Sequence, residues 1–442
     1  MTRNCLAGIF TLWAAGAALA QTPASPAPPP ASGLVLPAGA PEAAEALQGR
    51  WSPRPRLSDG KNLSIELRAK FQGDTAKFSP VVDSNDEGFV WRRRRLGVRG
   101  ELFKRVSFEV EREFGDEQEP WRDVYVNVKA HDLLEVRGGK FKAPFGLDNS
   151  TGSTSHDFIF RSLGTRLLAP GREVGGMVHG QAKGSIVTYA FGAFNAPSTA
   201  AAADPAFFDD DQGAAAFDRV LSGRVTVQPL DRMKSLPRGL RNLEFGVSAA
   251  KSTVPRGENS IKGKSVFGYK FFDRVYVDGT RMVTGADVAL VAGPASLKAE
   301  WINSADERLG QGVGDIDLSK VFGRGWYVQG SWLVTGEKKD GTIPKHPLFQ
   351  GGFGAVEVMA RSERLLFGSA DSSGQPASTS PRGQNLARNH DDVLTLGLAW
   401  HLNRWVKLQG NAIHESFLDA ERAPIKGTAT YWSYVTRLQF AF

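Results

Sequence analysis

The chain is poor in the features that build most soluble enzymes. It has one cysteine, Cys5, in 442 residues. Beyond the N-terminal segment no run approaches the ~18 apolar residues that a membrane-spanning helix needs. Its seven histidines show no HExxH or other ligand spacing, so no zinc site is expected. Cys5 precedes the apolar core of a secretory signal and leaves with it. It is also misplaced for a lipoprotein anchor, which would sit at the cleavage site. The mature chain is therefore expected to have no disulfide, thiol nucleophile or cysteine metal site. Helical membrane spans are excluded as well. A transmembrane barrel is not, because its strands show lipid only every second residue.

What is present leans towards β structure. There are 49 glycines and ten tryptophans, and aromatics make up 10% of the chain. Residues 1–20 read as a signal peptide: Arg3, an apolar stretch from Leu6 to Leu19, then Ala18-Leu-Ala20 before Gln21. Residues 21–59 are a Pro/Ala-rich leader (Pro28-Pro29-Pro30, Pro53-Arg-Pro55), expected to be disordered. The remainder, 60–442, reads as one domain. Removing Arg3 takes the formal charge from +7 to +6. That excess suits anions or lipid headgroups, and export makes nucleic acid a poor partner.

The last stretch, Tyr431 to Phe442, sets the pattern. Trp432, Tyr434, Thr436, Leu438, Phe440 and Phe442 share one face, and Tyr431, Ser433, Val435, Arg437, Gln439 and Ala441 the other. This is an apolar, girdled face backed by a more polar one. Sixteen such segments are predicted: 61–72, 88–99, 105–114, 121–130, 133–143, 173–182, 185–195, 219–228, 242–252, 280–292, 295–303, 324–337, 352–367, 391–402, 404–416 and 430–442. Their connections sort mostly into alternating long and short, as extracellular loops and periplasmic turns do. The expected fold is all-β, a 16-stranded antiparallel transmembrane barrel. Sixteen strands enclose more space than side chains fill, hence an aqueous channel unless loops close it.

Four stretches then resemble the phosphate-selective porin O and P family. Phe89-Val-Trp-Arg-Arg-Arg-Arg-Leu-Gly-Val-Arg-Gly100 is similar to its double-arginine second strand. Leu134-Glu-Val-Arg-Gly-Gly-Lys-Phe-Lys-Ala-Pro-Phe-Gly146 is similar to the strand that enters its third loop. Gly171-Arg-Glu-Val-Gly175 resembles the return from that loop. Gly354-Ala-Val-Glu-Val-Met-Ala-Arg361, with Leu398-Ala-Trp-His-Leu-Asn403, resembles its last strands. The resemblance implies a trimeric channel in the outer membrane of a Gram-negative bacterium, constricted by an inward third loop and lined by basic side chains. Phe442 resembles the C-terminal signal read by the barrel assembly machinery. The lipid bilayer and lipopolysaccharide are expected surroundings.

Alternation places Arg68, Lys70, Arg93, Arg95, Arg99, Arg137, Arg224, Lys298, Arg361, Lys407 and Arg437 towards the lumen. Arg161, Arg166 and Arg172 fall in or at the end of the third loop, and Lys140 and Lys142 flank its start. Arginine suits an anion path because its fork holds oxyanions without deprotonating. Acids at the same parity, including Glu66, Glu109, Glu111, Asp287, Glu300, Glu357 and Glu363, offer an ordinary use for many of these cations: pairing across the wall. Arg92 and Arg94 fall on lipid parity, at the rim or a subunit interface. Two functions stay open, a channel for small anions such as phosphate and a general porin, with a loop-plugged structural or adhesive barrel behind them. No catalysis, cofactor or metal is expected. His156 near Ser153 and Ser155 is the only local cluster resembling catalytic machinery. Gly310 to Asp317 resembles a single calcium-loop unit without the repeats that would support it.

Overall fold

The computed structural model describes residues 48–51, 54–80, 82, 87–116, 120–182, 186–195, 219–339, 341–370, 374 and 376–442. Sixteen antiparallel strands form the wall. They are β1 (Leu63–Ser79), β2 (Gly88–Leu102), β3 (Val106–Glu113), β4 (Trp121–His131), β5 (Leu134–Lys142), β6 (Arg172–Ala182), β7 (Val187–Asn195) and β8 (Arg219–Val227). Then come β9 (Glu244–Gly257), β10 (Val277–Ala292), β11 (Ala295–Arg308), β12 (Leu318–Leu333), β13 (Ala355–Ser369), β14 (Asn389–His401), β15 (Val406–Phe417) and β16 (Thr430–Ala441). Each strand pairs with the next, and β16 pairs with β1 from Trp432↔Ser79 to Ala441↔Lys70, so the sheet closes. Closure leaves no unpaired edge in the bilayer.

The amphipathic alternation places the side chains as expected. Leu394, Leu396 and Leu398 face out and are exposed. Val393, Thr395 and Ala399 face in and are buried. The wall is uneven in height. Strands β3 to β8 run 8–11 residues, whereas β9 to β16 with β1 and β2 run 12–17.

One register shift matters for the site. Between Gln72 and Gly73 the β1–β2 ladder steps from Arg93 to Trp91, which leaves Arg92 as a bulge. The bulge turns Arg92 inward, its guanidinium 5.3 Å from the Phe160 ring centre in the third loop. The parity expectation for Arg92 is thereby corrected, while Arg94 is exposed on the outer face. The signal segment and most of the leader lie outside the described residues. The end of the leader, Gln48–Trp51 with Pro55–Ser58, is a hairpin that extends onto β1 (Arg56↔Glu66, Ser58↔Ser64). Arg54 and Arg56 reach Glu66 at 3.6 and 3.9 Å, ion pairs that composition alone does not reveal.

The main apolar core lies inside the barrel. Phe145, Ile159, Phe160, Leu163 and Leu168 of the third loop pack with Ile261, Val266, Phe267, Phe271 and Phe272 of the loop between β9 and β10. Phe78, Phe367, Phe417 and Tyr431 complete the cluster from the wall. Two extracellular loops therefore fold into the lumen.

Candidate functional site

The third loop, residues 143–171, carries two short helices, α1 (Leu147–Ser150) and α2 (Leu163–Leu168). It enters the lumen at Gly146, whose φ of 61° favours glycine and whose absent Cβ leaves room for Glu300. The Leu147 and Asp148 amides donate to Glu300 at 3.0 and 3.2 Å. Ser162 caps α2 by accepting from the Thr165 amide, and the Leu163 amide donates to Glu363 at 2.7 Å. Helix α2 lies backbone to backbone against β12. A Cβ added at Gly325 would stand 2.6 Å from the Gly164 Cα.

Between the helices the loop is stapled to β13, β15 and β16. Arg361 donates to the Phe160 carbonyl (3.0 Å), Arg437 to that of Ile159 (2.8 Å), and Gln409 to that of Asp157 (2.9 Å). Lys407 donates to the Thr154 and His156 carbonyls, both at 3.3 Å. The Asp157 carboxylate gathers Lys298 (2.9 Å), Gln329 (2.8 Å) and Lys339 (2.7 Å), the last from the periplasmic connection after β12. Burial alone would raise the Asp157 carboxyl, but Lys339 and Lys298 outweigh it and hold it well below the usual carboxylate range. Asp148 is depressed in the same way, burial being outweighed by the adjacent His156 ring, Arg161 and Arg361. His156 Nδ1 lies 3.3 Å from Asp148, and its Nε2 lies 3.3 Å from the Thr151 carbonyl. Both ring nitrogens face groups of the loop itself, so the serines beside it gain no base.

Two cavities remain beside the third loop, one against the low wall and one beneath the staple, and both are lined by Arg68 and Lys70. One, of about 510 Å³, lies between the third loop and the low wall, lined also by Tyr125, Arg137, Lys142, Arg172, His179 and Arg224. The other, of about 360 Å³, faces the periplasmic end, with Arg54, Lys339, His401, Arg404 and Lys407 in its walls. Most of these cations have acid partners. Arg68 bonds Glu109, Lys70 bonds Glu111, Arg172 forks onto Asp123 (3.2 and 3.1 Å), and Arg224 forks onto Asp287. Arg137 differs. Its guanidinium stacks on Tyr125, 4.3 Å from the ring centre, and no carboxylate pairs with it among the described residues.

The sequence candidates thus divide. Arg68, Arg137, Arg172 and Arg224 border the open cavities, and Lys407 does so while also holding the third loop. Arg361, Arg437 and Lys298 hold the third loop instead. Arg161 binds the Thr151 carbonyl within the loop, and Arg166 ties the loop to Val266 at 2.7 Å. Arg93 donates to Gln72, and Arg95 bonds Glu113 at 2.7 Å with Glu111 at 3.6 Å. Arg99 is exposed near the periplasmic end of β2. Lys140 departs from expectation: it registers with Val124 and Val174, and Val174 is exposed on the outer face, so the lysine belongs to that face.

Alternation could not reveal the loop between β9 and β10. There Lys262, Lys264, Lys270 and Arg274 gather, with Lys264 close to Arg166 of the third loop. Burial, then the repulsion of Lys264 and Arg274, pulls Lys262 down to about 7. The only available signal was composition, four cations within thirteen residues. In the loop that resembled a calcium unit, Arg256 occupies the acidic side, 2.9 Å from Asp315 and 3.1 Å from the Gly310 carbonyl.

The fold and sequence have recognisable relatives. The structure is similar to OmpT, an outer membrane protein of Vibrio cholerae (TM-score 0.54, 10% identity, 86% of this chain and 98% of that one). It is also similar to the outer membrane channel DcaP of Acinetobacter baumannii (TM-score 0.52, 9% identity, 86% and 98%). At these identities the likeness carries the fold alone. In sequence, an uncharacterized protein of Caulobacter vibrioides is 24% identical over 369 residues, covering 79% of this chain and 69% of that protein. The family model for phosphate-selective porin O and P matches residues 65–442, essentially the whole barrel. The chain belongs to that family, and is a porin of the Gram-negative outer membrane.

Proposed function

We propose that the open side of the lumen passes small anions by diffusion, phosphate among them, and that the basic side chains beside the third loop filter them. The observation that carries this reading is Arg137, a lumen cation held by an aromatic ring and not by a carboxylate. Arg68, Lys70, Lys142, Arg172 and Arg224 surround the same cavity. An anion about 4 Å from one such cation gains about 4 kcal/mol at an effective dielectric of 20. Wall acids keep that well shallow enough to leave, as conduction requires. The basic cluster around Lys262 would draw anions in from the extracellular side. The two cavities weigh against a loop-plugged barrel.

Assembly as a homotrimer fits the low wall. There Val136, Val178, Phe191, Leu221 and Val247 line an outward apolar groove of about 890 Å³, floored by Gly176, Gly192 and Gly223. A structure similar to this chain, OmpT of Vibrio cholerae, is described in a trimer form (TM-score 0.52, 10% identity). A signal peptide at residues 1–20 and delivery by the barrel assembly machinery through the C-terminal strand complete the proposal. The deciding experiment is the reversal potential of single channels under a KCl gradient, with phosphate titrated in. Anion preference and a chloride current reduced by phosphate are expected. Cation preference overturns the reading, and a chloride current indifferent to phosphate leaves a general porin.

A further inference from the structure

The outward face carries a band of cations in its upper part. Arg94, Arg112, Lys251, Arg324 and Arg364 are all exposed there, six (Arg112) to nine (Arg324, Arg364) residues above the periplasmic ends of their strands. For strands tilted ~40° and rising ~3.3 Å per residue this is about 15 to 23 Å of height, the upper part of the ~25 Å apolar band, and the exposed aromatics beside Arg94 and Arg112 mark its border. Some have partners. Arg364 forks onto Asp392, and Arg324 donates to Asn303 at 3.2 Å.

Arg94 and Arg112 are different. They sit on adjacent strands: Leu96 registers with Arg112, and the Phe114 amide donates to the Arg94 carbonyl at 2.8 Å. Neither guanidinium pairs with a carboxylate among the described residues. Glu113 spends one oxygen on Arg95 at 2.7 Å and the other on the Arg94 and Gly115 amides at 2.8 and 3.1 Å. Arg112 lies 5.4 Å from the ring centres of both Phe114 and Trp121, and Phe89 and Trp91 extend the aromatic frame. Two forks aimed outward within an aromatic belt match a phosphomonoester, whose oxygens take such donors in pairs. The rings anchor the same strands at the interface.

We propose that Arg94 and Arg112 bind a phosphate group of the outer-leaflet glycolipid, lipopolysaccharide. A neighbouring barrel is the weaker occupant. It would have to bring its own acid to this patch, and the apolar groove that suits a second copy lies farther round, on β5 to β10.

The test uses the full chain extracted from outer membranes in mild detergent, with lipopolysaccharide retained per barrel read by native mass spectrometry and sugar assay. R94Q/R112Q should lose retained glycolipid about tenfold, with heat-modifiable migration unchanged. R94K/R112K keeps the charge without the fork and should retain an intermediate amount. Barrels refolded without glycolipid should then take it up from phosphatidylcholine vesicles containing lipopolysaccharide, and not from vesicles lacking it. Equal retention by all variants overturns the site. Displacement by inorganic phosphate at equal phosphate concentration makes free phosphate the occupant and overturns the lipid assignment. Altered cross-linking between barrels with glycolipid unchanged makes the patch a protein contact, which also overturns it.

Discussion

Arg437→Gln should free part of the third loop while leaving the ionic preference of the channel intact. Arg437 is 1% exposed and spends its whole fork: two bonds of 2.7 Å to Asp74, itself 3% exposed, and one of 2.8 Å to the Ile159 carbonyl. Glutamine cannot span both, so a buried carboxylate and a loop carbonyl lose their donors together. Breaking a buried pair from one side costs about 3–5 kcal/mol. The pair sits on the β16–β1 seam, yet ten register pairs hold that seam, so the barrel should stay closed and the loop should yield. Arg361, Gln409 and Lys407 still grip its flanks, which predicts partial release and not ejection. In planar bilayers the variant should show higher conductance with more open-channel noise. Limited proteolysis should cut within residues 143–171 sooner, and heat-modifiable migration should shift to lower temperature. Asp74→Asn combined with Arg437→Gln should recover part of the loss, because the unpaired charge is gone. A shifted reversal potential with unchanged noise and stability would refute this reasoning and return Arg437 to the ion path.

The other perturbations separate filter from scaffold. Arg137→Gln should lower the anion-to-cation permeability ratio several-fold with conductance noise unchanged, read from reversal potentials; an unchanged ratio removes Arg137 from the filter. Gly325→Val should push α2 off β12, since even a Cβ there meets the Gly164 backbone at 2.6 Å; loss of heat-stable folded barrel or a widened channel is the expected outcome. Lys262 titrates near 7 in the folded chain, below the ~10.4 of a free lysine, so raising the pH through 7 removes a charge from the extracellular cluster. Anion preference should fall between pH 6 and 8, and K262M should flatten that slope. Asp148 runs the opposite way. Its folded pKa is depressed, so its contribution to the third loop is present above the unfolded value of about 3.9 and is lost only as pH falls through the lower folded one. Wild-type conductance should hold from neutral pH to below pH 4, and D148N should show the looser loop already at neutrality.

The wall was legible because lipid enforces it. A residue facing hydrocarbon must be apolar and its neighbour facing water need not be, so period two survives clearly in strands such as β14 and β16. Legibility fails where strands rise above the membrane. There β1 continues past residue 72 to Ser79, β9 past 252 to Gly257 and β11 past 303 to Arg308, while β12 begins at Leu318 and not 324. Both faces of those segments meet water or folded loop, and no solvent selects an alternation. Arg92 failed for a neighbouring reason. One bulged residue reverses its facing, and nothing in a run of four arginines marks which one bulges.

The candidate site was legible as a face and not as a division of labour. Arg137 and Arg437 share lumen parity and residue type, yet one borders open space and the other clamps the third loop. Arg437 forks onto Asp74 and reaches the Ile159 carbonyl, whereas Arg137 has neither kind of partner among the described residues, and every residue offers a carbonyl whatever its side chain. Counting acids at lumen parity therefore understates how many arginines are held in place, because carbonyls take a share of their donors. The basic composition of such a wall measures two quantities at once, the field offered to a passing ion and the strength with which the constriction is held in place. Arg361, Arg437, Lys298 and Lys407 spend bonds on the second. On the proposed function, selectivity would then fall to the cations least engaged elsewhere, with Arg137 first among them.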